Sequence, residues 1–458
     1  MIAPDESIRA VSAPARFEIR PVAAAVLPPV PAAGRHWVGK AVVIYFAVFP
    51  LLWVTGLALP IALILMPAAA VVSLRTPGAF RYAWSWYAVG FAQLLSVLIN
   101  WVLVEGSAST LVKHVFSSYI SGWFLLGAAI STGASGLVPL AAATTALSRI
   151  ACYWAVLAVP ATAAALLSSL PSLTFVTPIG RLLPGSLPSK SFSFSVFVFA
   201  WDELFGLELP RIVLLFPWAN ILGVAGIAVT LAGLAERGPR RWRLPAIGIA
   251  MISASLGRLP ILALAVVLVL RAWLGLPTIS ARVLSVTIPL WSATAVALAI
   301  GLPSDLIKKT NEAIAEGRPG SSQVRAEVYE GSWRGFYDAP FIGHGWPGEA
   351  VIDAEEGAFG GVGGGAVVGS HSTISGLLYK GGLLSFIPLV FAFLLTSLAI
   401  APRVLTSTHA KSALCFVVAL ALTCGAESLE SFAMPLLSAF IWLGAVLRVS
   451  EPGRETFA

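Results

Sequence analysis

The chain has 458 residues, of which 58% are apolar and only 11% are charged, against about 45–50% and about 25% in soluble globular proteins. With a mean hydropathy of +0.87, this much apolar surface requires a lipid bilayer, which excludes soluble cytosolic enzymes and nucleic-acid-binding proteins. The formal charge of +7 alone fits a phosphate-bearing partner, but in a membrane protein the distribution of charge between the two faces carries more information.

The N-terminal segment is rich in Ala and Pro and carries four arginines: Arg9, Arg16, Arg20 and Arg35. It lacks a compact apolar run that ends in a small-residue cleavage site. We therefore interpret residues 1–40 as a disordered cytoplasmic tail rather than as a signal peptide.

Long apolar runs follow along the rest of the chain. The run 41–74 exceeds the roughly 20 residues of one membrane helix and has Pro60 near its middle, which indicates a hairpin of two helices. Together with the later runs it predicts an all-α polytopic membrane protein with about twelve transmembrane helices, nine within 41–301 and three within 376–448. The later runs are 83–104, 113–134, 148–170, 211–235, 244–257, 259–276, 282–301, 376–400, 410–426 and 431–448.

The charge distribution orients these helices. With the N-terminus inside, most of the 29 Lys and Arg fall in short or terminal inner segments, whereas most of the 22 Asp and Glu fall outside. Cytoplasmic segments are enriched in Lys and Arg. We therefore predict a membrane protein with both termini cytoplasmic, including a cytoplasmic tail at 449–458.

The run 244–276 is interrupted by Arg258. Both of its flanks are basic, and placing both inside requires a hairpin with Arg258 at its outer tip. The first arm, 244–257, is shorter than an ordinary span. Arg258 is therefore expected in a recessed, partly dehydrated position, where a cation attracts an anionic ligand.

Two long segments of lower hydropathy fall outside: 171–210, and a large loop at 302–375 that precedes the tenth span. Loops of this length are usually functional or disordered. The second contains Arg325 and ends near His371. For both residues a structural role stays open, because Arg325 has acidic neighbours and a lone histidine is more often structural. Arg211, at the start of a predicted span, is equally compatible with an interfacial anchor.

Two sequence motifs suggest binding sites that their sequence context does not support. The segment 343–348 fits the dinucleotide pattern G-x-G-x-x-G, but no strand is predicted before it and Pro347 interrupts the helix that should follow. The acids Asp353, Glu355 and Glu356 stand beside a glycine-rich run and read as a solvated acidic loop. We predict neither a cofactor nor a metal site.

Four patches occur in an order that resembles the O-antigen ligase and polymerase superfamily of bacterial envelope glycosyltransferases. They are Arg211 to Asn220, Ser253 to Arg258, Arg325 to Tyr329 running into Pro340 to Gly345, and Gly369 to Gly382. Two departures stand out. Ser372 occupies the place of the usual Asn after the histidine, and the glycine expected between Arg211 and Phe216 is absent.

The resemblance implies a protein of the bacterial inner membrane whose large loop 302–375 is periplasmic. It implies transfer of a glycan from a polyprenyl pyrophosphate on the periplasmic side, without metal and with inversion at the anomeric carbon. It assigns Arg258, Arg325 and His371 to catalysis, and Arg211, Asn220, Tyr329 and Ser372 to substrate binding. The chemistry agrees with these residues. Arginine binds phosphate oxygens in a bidentate way, and a histidine with a reference pKa of about 6.5 is neutral enough at pH 7 to act as a general base.

The acceptor stays open. A polymerase joins lipid-linked repeats into O-antigen, capsule or exopolysaccharide, whereas a ligase transfers the glycan to lipid A core. The long loop offers little basic surface for a phosphorylated core, so we favour the polymerase. A transporter or flippase is the alternative from another class, but no internal repeat relates 41–235 to 244–448. The expected partners are thus a polyprenyl-pyrophosphate-linked glycan, one of these acceptors and membrane lipids, with no nucleic acid.

Overall fold

A computed structural model describes residues 37–76, 78–104, 107–183, 194–204, 207–276, 319–348, 367–370 and 372–449. All of them belong to one unit, Ala32–Ala458. The predicted N-terminal tail lies almost entirely outside the described residues. The first described helix begins at Trp37, within the last residues assigned to that tail.

The first half of the chain forms a series of apolar helices: α1 (Trp37–Ala47), α2 (Phe49–Thr55), α3 (Ala58–Leu74), α4 (Phe80–Leu103), α5 (Ala108–His114), α6 (Leu125–Ser135) and α7 (Leu140–Leu167). A π-helical segment, Val115–Phe124, joins α5 to α6. The predicted hairpin at 41–74 is more broken than expected. Its axis bends by 69° between α1 and α2, and α2 ends at Gly56, whose φ of 84° is favoured by glycine.

The second half continues with α8 (Pro178–Leu182), α9 (Ala219–Ala235), α10 (Arg240–Ser255), α11 (Arg258–Trp273), α12 (Pro319–Asp338), α13 (Thr373–Ile400), α14 (Thr408–Cys424) and α15 (Leu437–Val449). α10 packs mainly on α9, and α11 on α14. The predicted interruption near Arg258 is therefore present. Its two arms contact different helices more than they contact each other.

Several of these helices are long and apolar enough to cross a membrane. Four pass on length and hydropathy, and a fifth if the bent pair α1 and α2 forms one span. The four are Phe80–Leu103, Ala108–Ser135, Leu140–Leu167 and Thr373–Arg403. The predicted number of twelve spans is not confirmed, and the predicted span 282–301 lies outside the described residues.

The all-α prediction is wrong for the segment 171–212, although the fold is mainly helical. Three antiparallel strands, β1 (Ser172–Val176), β2 (Ser195–Leu204) and β3 (Leu207–Ile212), form a sheet in the order β1-β2-β3. The physical reason is the sequence of β2, in which aromatic and β-branched residues follow one another, a composition that fits a pleated surface better than a membrane helix.

Glycines allow the central helices to approach closely. A Cβ on Gly226 of α9 would lie 2.7 Å from the carbonyl oxygen of Gly248 on α10, and a Cβ on Gly223 would lie 2.5 Å from Pro260. Both glycines thus serve close helix packing. α9 is buried along almost its whole length, so it is the central helix on which the neighbouring elements rest.

Candidate active site

Arg211 was predicted at the start of a membrane helix, but it lies near the end of β3. Its Nε donates a 3.0 Å hydrogen bond to the carbonyl oxygen of Ser255, and its guanidinium also pairs with the carboxylate of Asp202 on β2. The side chains of Arg211 and Asp202 expose only 19% and 18% of their surface. Arg211 thus connects the sheet to the end of α10.

The helix that was predicted to begin at Arg211 begins instead at Ala219. The backbone explains the delay, because Leu214 and Leu215 adopt φ angles of 34° and 57°, which are incompatible with a right-handed helix. Both leucines are buried. They stand between Arg211 and Phe216, where the resembling family has a glycine, so the chain keeps a backbone conformation that glycine favours.

A sharp turn joins α10 to α11. Leu256 has a φ of 47°, and the backbone N–H of Gly257 donates a 3.2 Å hydrogen bond to the hydroxyl of Ser255. Arg258 follows as the first residue of α11. Arg258 therefore stands at a helix N-terminus, where the helix dipole favours an anion. The predicted position of Arg258 at the tip of a broken helix pair agrees with this turn.

Asn220 connects this turn to the last loop of the chain. A Cβ on Gly257 would lie 2.6 Å from Oδ1 of Asn220, so the two residues are in close contact. The Nδ2 group of Asn220 donates a hydrogen bond to Oε1 of Glu427. Both side chains are buried. Asn220, at the start of α9, thereby holds the turn before Arg258 against the loop that follows α14.

The same loop anchors the start of α13. The N–H and the hydroxyl of Thr373 donate hydrogen bonds of 2.9 and 2.7 Å to the carbonyl oxygen of Glu427. The hydroxyl of Ser372 accepts a hydrogen bond from the N–H of Ser375 at 3.2 Å and donates one to the carbonyl of Cys424 at 3.0 Å. Ser372 is therefore the N-cap of α13, and the backbone directly after His371 is firmly held.

The backbone before His371 is held by a different element. The N–H of Gly369 donates a 2.9 Å hydrogen bond to the hydroxyl of Ser332 on α12. Tyr329, half-buried, lies three residues before Ser332 on this helix, and Arg325 belongs to the same helix. The segment 369–373 is thus fixed at one end to α12 and at the other to the loop after α14.

The structure brings together Arg211, Arg258, Asn220 and Ser372, through the contacts of Ser255, Gly257 and Glu427. Two predicted catalytic groups are not located by it: His371 and the side chain of Arg325 lie outside the described residues. The glycine-rich run 357–365 and the acids Asp353, Glu355 and Glu356 lie outside them as well.

The segment 343–348, which fits the dinucleotide pattern, packs against α13. Gly343 and Gly345 have φ angles of 62° and 81°. The backbone N–H groups of His344 and Gly345 donate hydrogen bonds of 2.9 and 2.7 Å to the carbonyl oxygens of Tyr379 and Lys380 on α13. The imidazole of His344 stacks on the ring of Tyr379 at 4.6 Å. These contacts join the segment after α12 to α13.

Sequence reasoning missed three charged residues near this region. Glu427 bridges Asn220 and α13, as described above. Lys380, inside an apolar helix, forms a 2.9 Å ion pair with Glu430, and the side chains expose only 5% and 1% of their surface. Lys380 could have been found from the sequence, because an ionisable residue within an apolar span is costly and usually has a charged partner.

No group of three or more His, Cys, Asp and Glu with the proximity of metal ligands occurs in the part of the chain that the structure describes. The expectation of a site without metal stays a prediction.

Comparison with known proteins gives one assignment. A family model described as O-antigen ligase matches residues 244–390, a range that contains Arg258, Arg325, Tyr329, His371 and Ser372, whereas Arg211 and Asn220 precede it. No curated protein matches the chain. Residues 244–390, which hold three of the four sequence patches, are thus similar to the O-antigen ligase family, and the match confirms the resemblance over this range.

Proposed function

We propose that the protein is a glycosyltransferase of the bacterial inner membrane that polymerises polyprenyl-pyrophosphate-linked oligosaccharide repeats on the periplasmic face. The observation that carries the proposal is the anchoring of the segment around His371. Its two ends are bonded to α12, the helix of Arg325, and to the Glu427 loop, which Asn220 holds against the turn before Arg258. Three groups of the required chemistry thus belong to elements that are joined to one another.

Arg258 and Arg325 are assigned to the pyrophosphate of the donor. Negative charge grows on the leaving group as the glycosidic bond breaks, and preorganised cations in a water-poor site stabilise it. Arg258 adds its charge to the N-terminus of α11, a position that favours phosphate by itself. Arg211 supports the turn before Arg258, since its Nε donates a hydrogen bond to the carbonyl of Ser255 and its charge is neutralised in part by Asp202.

His371 is assigned as the general base. The acceptor hydroxyl attacks the anomeric carbon, its proton passes to His371, and the bond to the pyrophosphate oxygen breaks on the opposite side. One displacement inverts the anomeric configuration. Tyr329 and Asn220 are assigned to substrate binding, as is Ser372, the N-cap of α13, which directly follows the base in the sequence.

The decisive variant is His371→Ala. Glycan assembly should fall by a factor of about 10²–10⁴, the usual contribution of general base catalysis, while membrane expression stays normal. His409→Ala is the matched control, because His409 lies at the start of α14 and the Glu427 loop follows the opposite end of that helix. Wild-type assembly by His371→Ala would refute the assignment of the base.

Ligation to lipid A core is the second candidate, which the description of the matching family favours. The polymerase is preferred because the sequence 302–375 carries more acidic than basic residues, which disfavours a phosphorylated core. Lipopolysaccharide from a deletion strain separates the two. Single-repeat glycans indicate a lost polymerase, whereas full-length polymer that stays on the polyprenyl carrier indicates a lost ligase.

A further inference from the structure

A cavity of about 420 Å³ opens between the end of α7 and the sheet. Its walls are Ser168, Ser169, Leu170 and Pro171, which follow α7, Trp201 and Asp202 on β2, and Glu208 on β3. The N–H of Trp201 donates a 2.9 Å hydrogen bond to the carbonyl of Pro171, which holds the two walls together. The volume falls within the range of about 300–1,000 Å³ that is usual for small-molecule sites.

The lining combines an aromatic surface with hydrogen-bonding groups. Trp201 is half-buried, so its indole is fixed while part of the ring stays accessible. The hydroxyl oxygen of Ser168 is buried and has no hydrogen-bond partner among the described residues. Buried polar groups are normally paired, so this hydroxyl is satisfied best by a ligand or a solvent molecule in the cavity.

The negative charge of the cavity lining restricts the chemical class of ligand that it can bind. Glu208 is exposed, and Asp202 contributes a second carboxylate, which is paired with Arg211. Carboxylates accept hydrogen bonds from hydroxyl groups but repel phosphates and acidic sugars. An uncharged sugar ring fits this lining, because its apolar C–H face stacks on an indole and its hydroxyl rim is bound by carboxylate and serine oxygens.

The cavity is coupled to the candidate active site through one residue. Asp202 lines the cavity and also pairs with Arg211, whose Nε holds the carbonyl of Ser255, three positions before Arg258. A sugar bound here would therefore lie next to the site at which glycosyl transfer is assigned. We propose that this cavity, on Trp201, Asp202 and Glu208, is a glycan subsite for an uncharged sugar residue of the donor or the acceptor, an inference that rests on the proposed function.

Direct binding tests the subsite without turnover. The probe is the oligosaccharide released by mild acid from the surface polysaccharide of the source strain, and the readout is saturation-transfer NMR with the full-length protein in nanodiscs. Loss of the indole in Trp201→Ala should weaken binding about three- to tenfold, the usual contribution of one aromatic contact, whereas Trp201→Phe should keep most of the affinity.

Two further variants control for folding. Glu208→Gln alters an exposed side chain and should still weaken binding. Trp242→Ala, at the exposed start of α10, should bind like the wild type. Equal affinity of Trp201→Ala, Glu208→Gln and the wild type would overturn the subsite.

Kinetics with purified lipid-linked glycan identifies which substrate uses the subsite. Trp201→Ala should raise KM for the acceptor or KM for the donor, according to which one supplies the sugar, with kcat little changed. A wild-type protein that binds the oligosaccharide but transfers nothing would refute the proposed function and leave the subsite standing. Normal transfer with both KM values unchanged in Trp201→Ala would refute the subsite alone.

Discussion

The amide of Asn220 donates a hydrogen bond to the carboxylate of Glu427 across a separation of 207 residues. Asn220 stands at the start of the central helix α9, and Glu427 in the loop that also receives Thr373. Both side chains are buried. This single bond therefore joins the Arg258 turn to the segment that follows His371.

The first prediction concerns Glu427. Glu427→Ala removes the acceptor of the buried Asn220 amide, and a buried donor left without its partner costs about 1–3 kcal/mol. We expect a lower thermal unfolding temperature in detergent and a marked loss of transfer activity. Glu427→Gln keeps an amide oxygen at Oε1 and should restore most of both. Equal defects in the Ala and Gln variants would show that the acceptor oxygen is not what matters.

The second prediction concerns Arg258. Arg258→Lys keeps the positive charge but loses the planar fork that binds two phosphate oxygens at once. If Arg258 stabilises the leaving pyrophosphate, transfer by Arg258→Lys should fall by a factor of about 10²–10³, as expected for a preorganised group in a dry site. The measurement is the initial rate with lipid-linked donor.

Arg243→Lys provides the matched control, since Arg243 is exposed in the first turn of α10, at the other end of that helix. It should retain the wild-type rate. A rate of Arg258→Lys close to that of Arg243→Lys would mean that a point charge suffices and that bidentate phosphate binding is not required.

Local patterns in the sequence were sufficient to predict the break before Arg258. The short apolar arm before Arg258 and its basic flanks predicted a break at this residue, and the structure has a turn there, with Leu256 in the left-handed region and Arg258 as the first residue of α11. A break in an apolar run is a local property. It is therefore visible in a single sequence.

Other features depend on contacts between distant segments. Nothing local shows that Asn220 meets Glu427 or that Ser332 meets Gly369. The sheet was missed for a different reason, since β2 lies within a segment whose Pro and Ser content resembles a loop. The predicted position of Arg211 was wrong for the same reason, because the predicted helix that is now α9 was extended backwards over β3.

The third prediction concerns the buried ion pair of Lys380 and Glu430. Removing one partner leaves the other charge buried and uncompensated, which typically costs about 3–5 kcal/mol. We expect Lys380→Met and Glu430→Gln each to lower the unfolding temperature strongly. The double variant should be less destabilised than the sum of the two, because it leaves no unpaired charge.

The exposed pair of Arg334 and Glu330 gives the comparison. Its side chains expose 74% and 63% of their surface, and exposed pairs four residues apart in a helix contribute about 0.3–0.5 kcal/mol. Glu330→Gln should therefore change the unfolding temperature little. Additive effects in the Lys380 and Glu430 cycle would contradict a direct interaction of the two charges.

The fourth prediction separates two effects of adding a Cβ at Gly343, the strain of a left-handed backbone and the clash with α13. Its φ is 62°, and a Cβ would lie 2.5 Å from the backbone N of Gly381 on α13. Gly238 has nearly the same φ, 66°, but a Cβ there meets nothing within 4 Å. Gly238→Ala therefore measures the strain of a left-handed alanine alone, which is about 1–2 kcal/mol.

Gly343→Ala should be more destabilised by about 1–3 kcal/mol, the usual range for overpacking, because backbone atoms cannot move aside as a flexible side chain does. It should also reduce transfer, since the displaced segment carries the contact of α12 with α13. Thermal unfolding and initial rates of both variants provide the test. Equal destabilisation of Gly343→Ala and Gly238→Ala would show that α13 yields to the added methyl group and that the close approach at Gly343 does not fix the two helices.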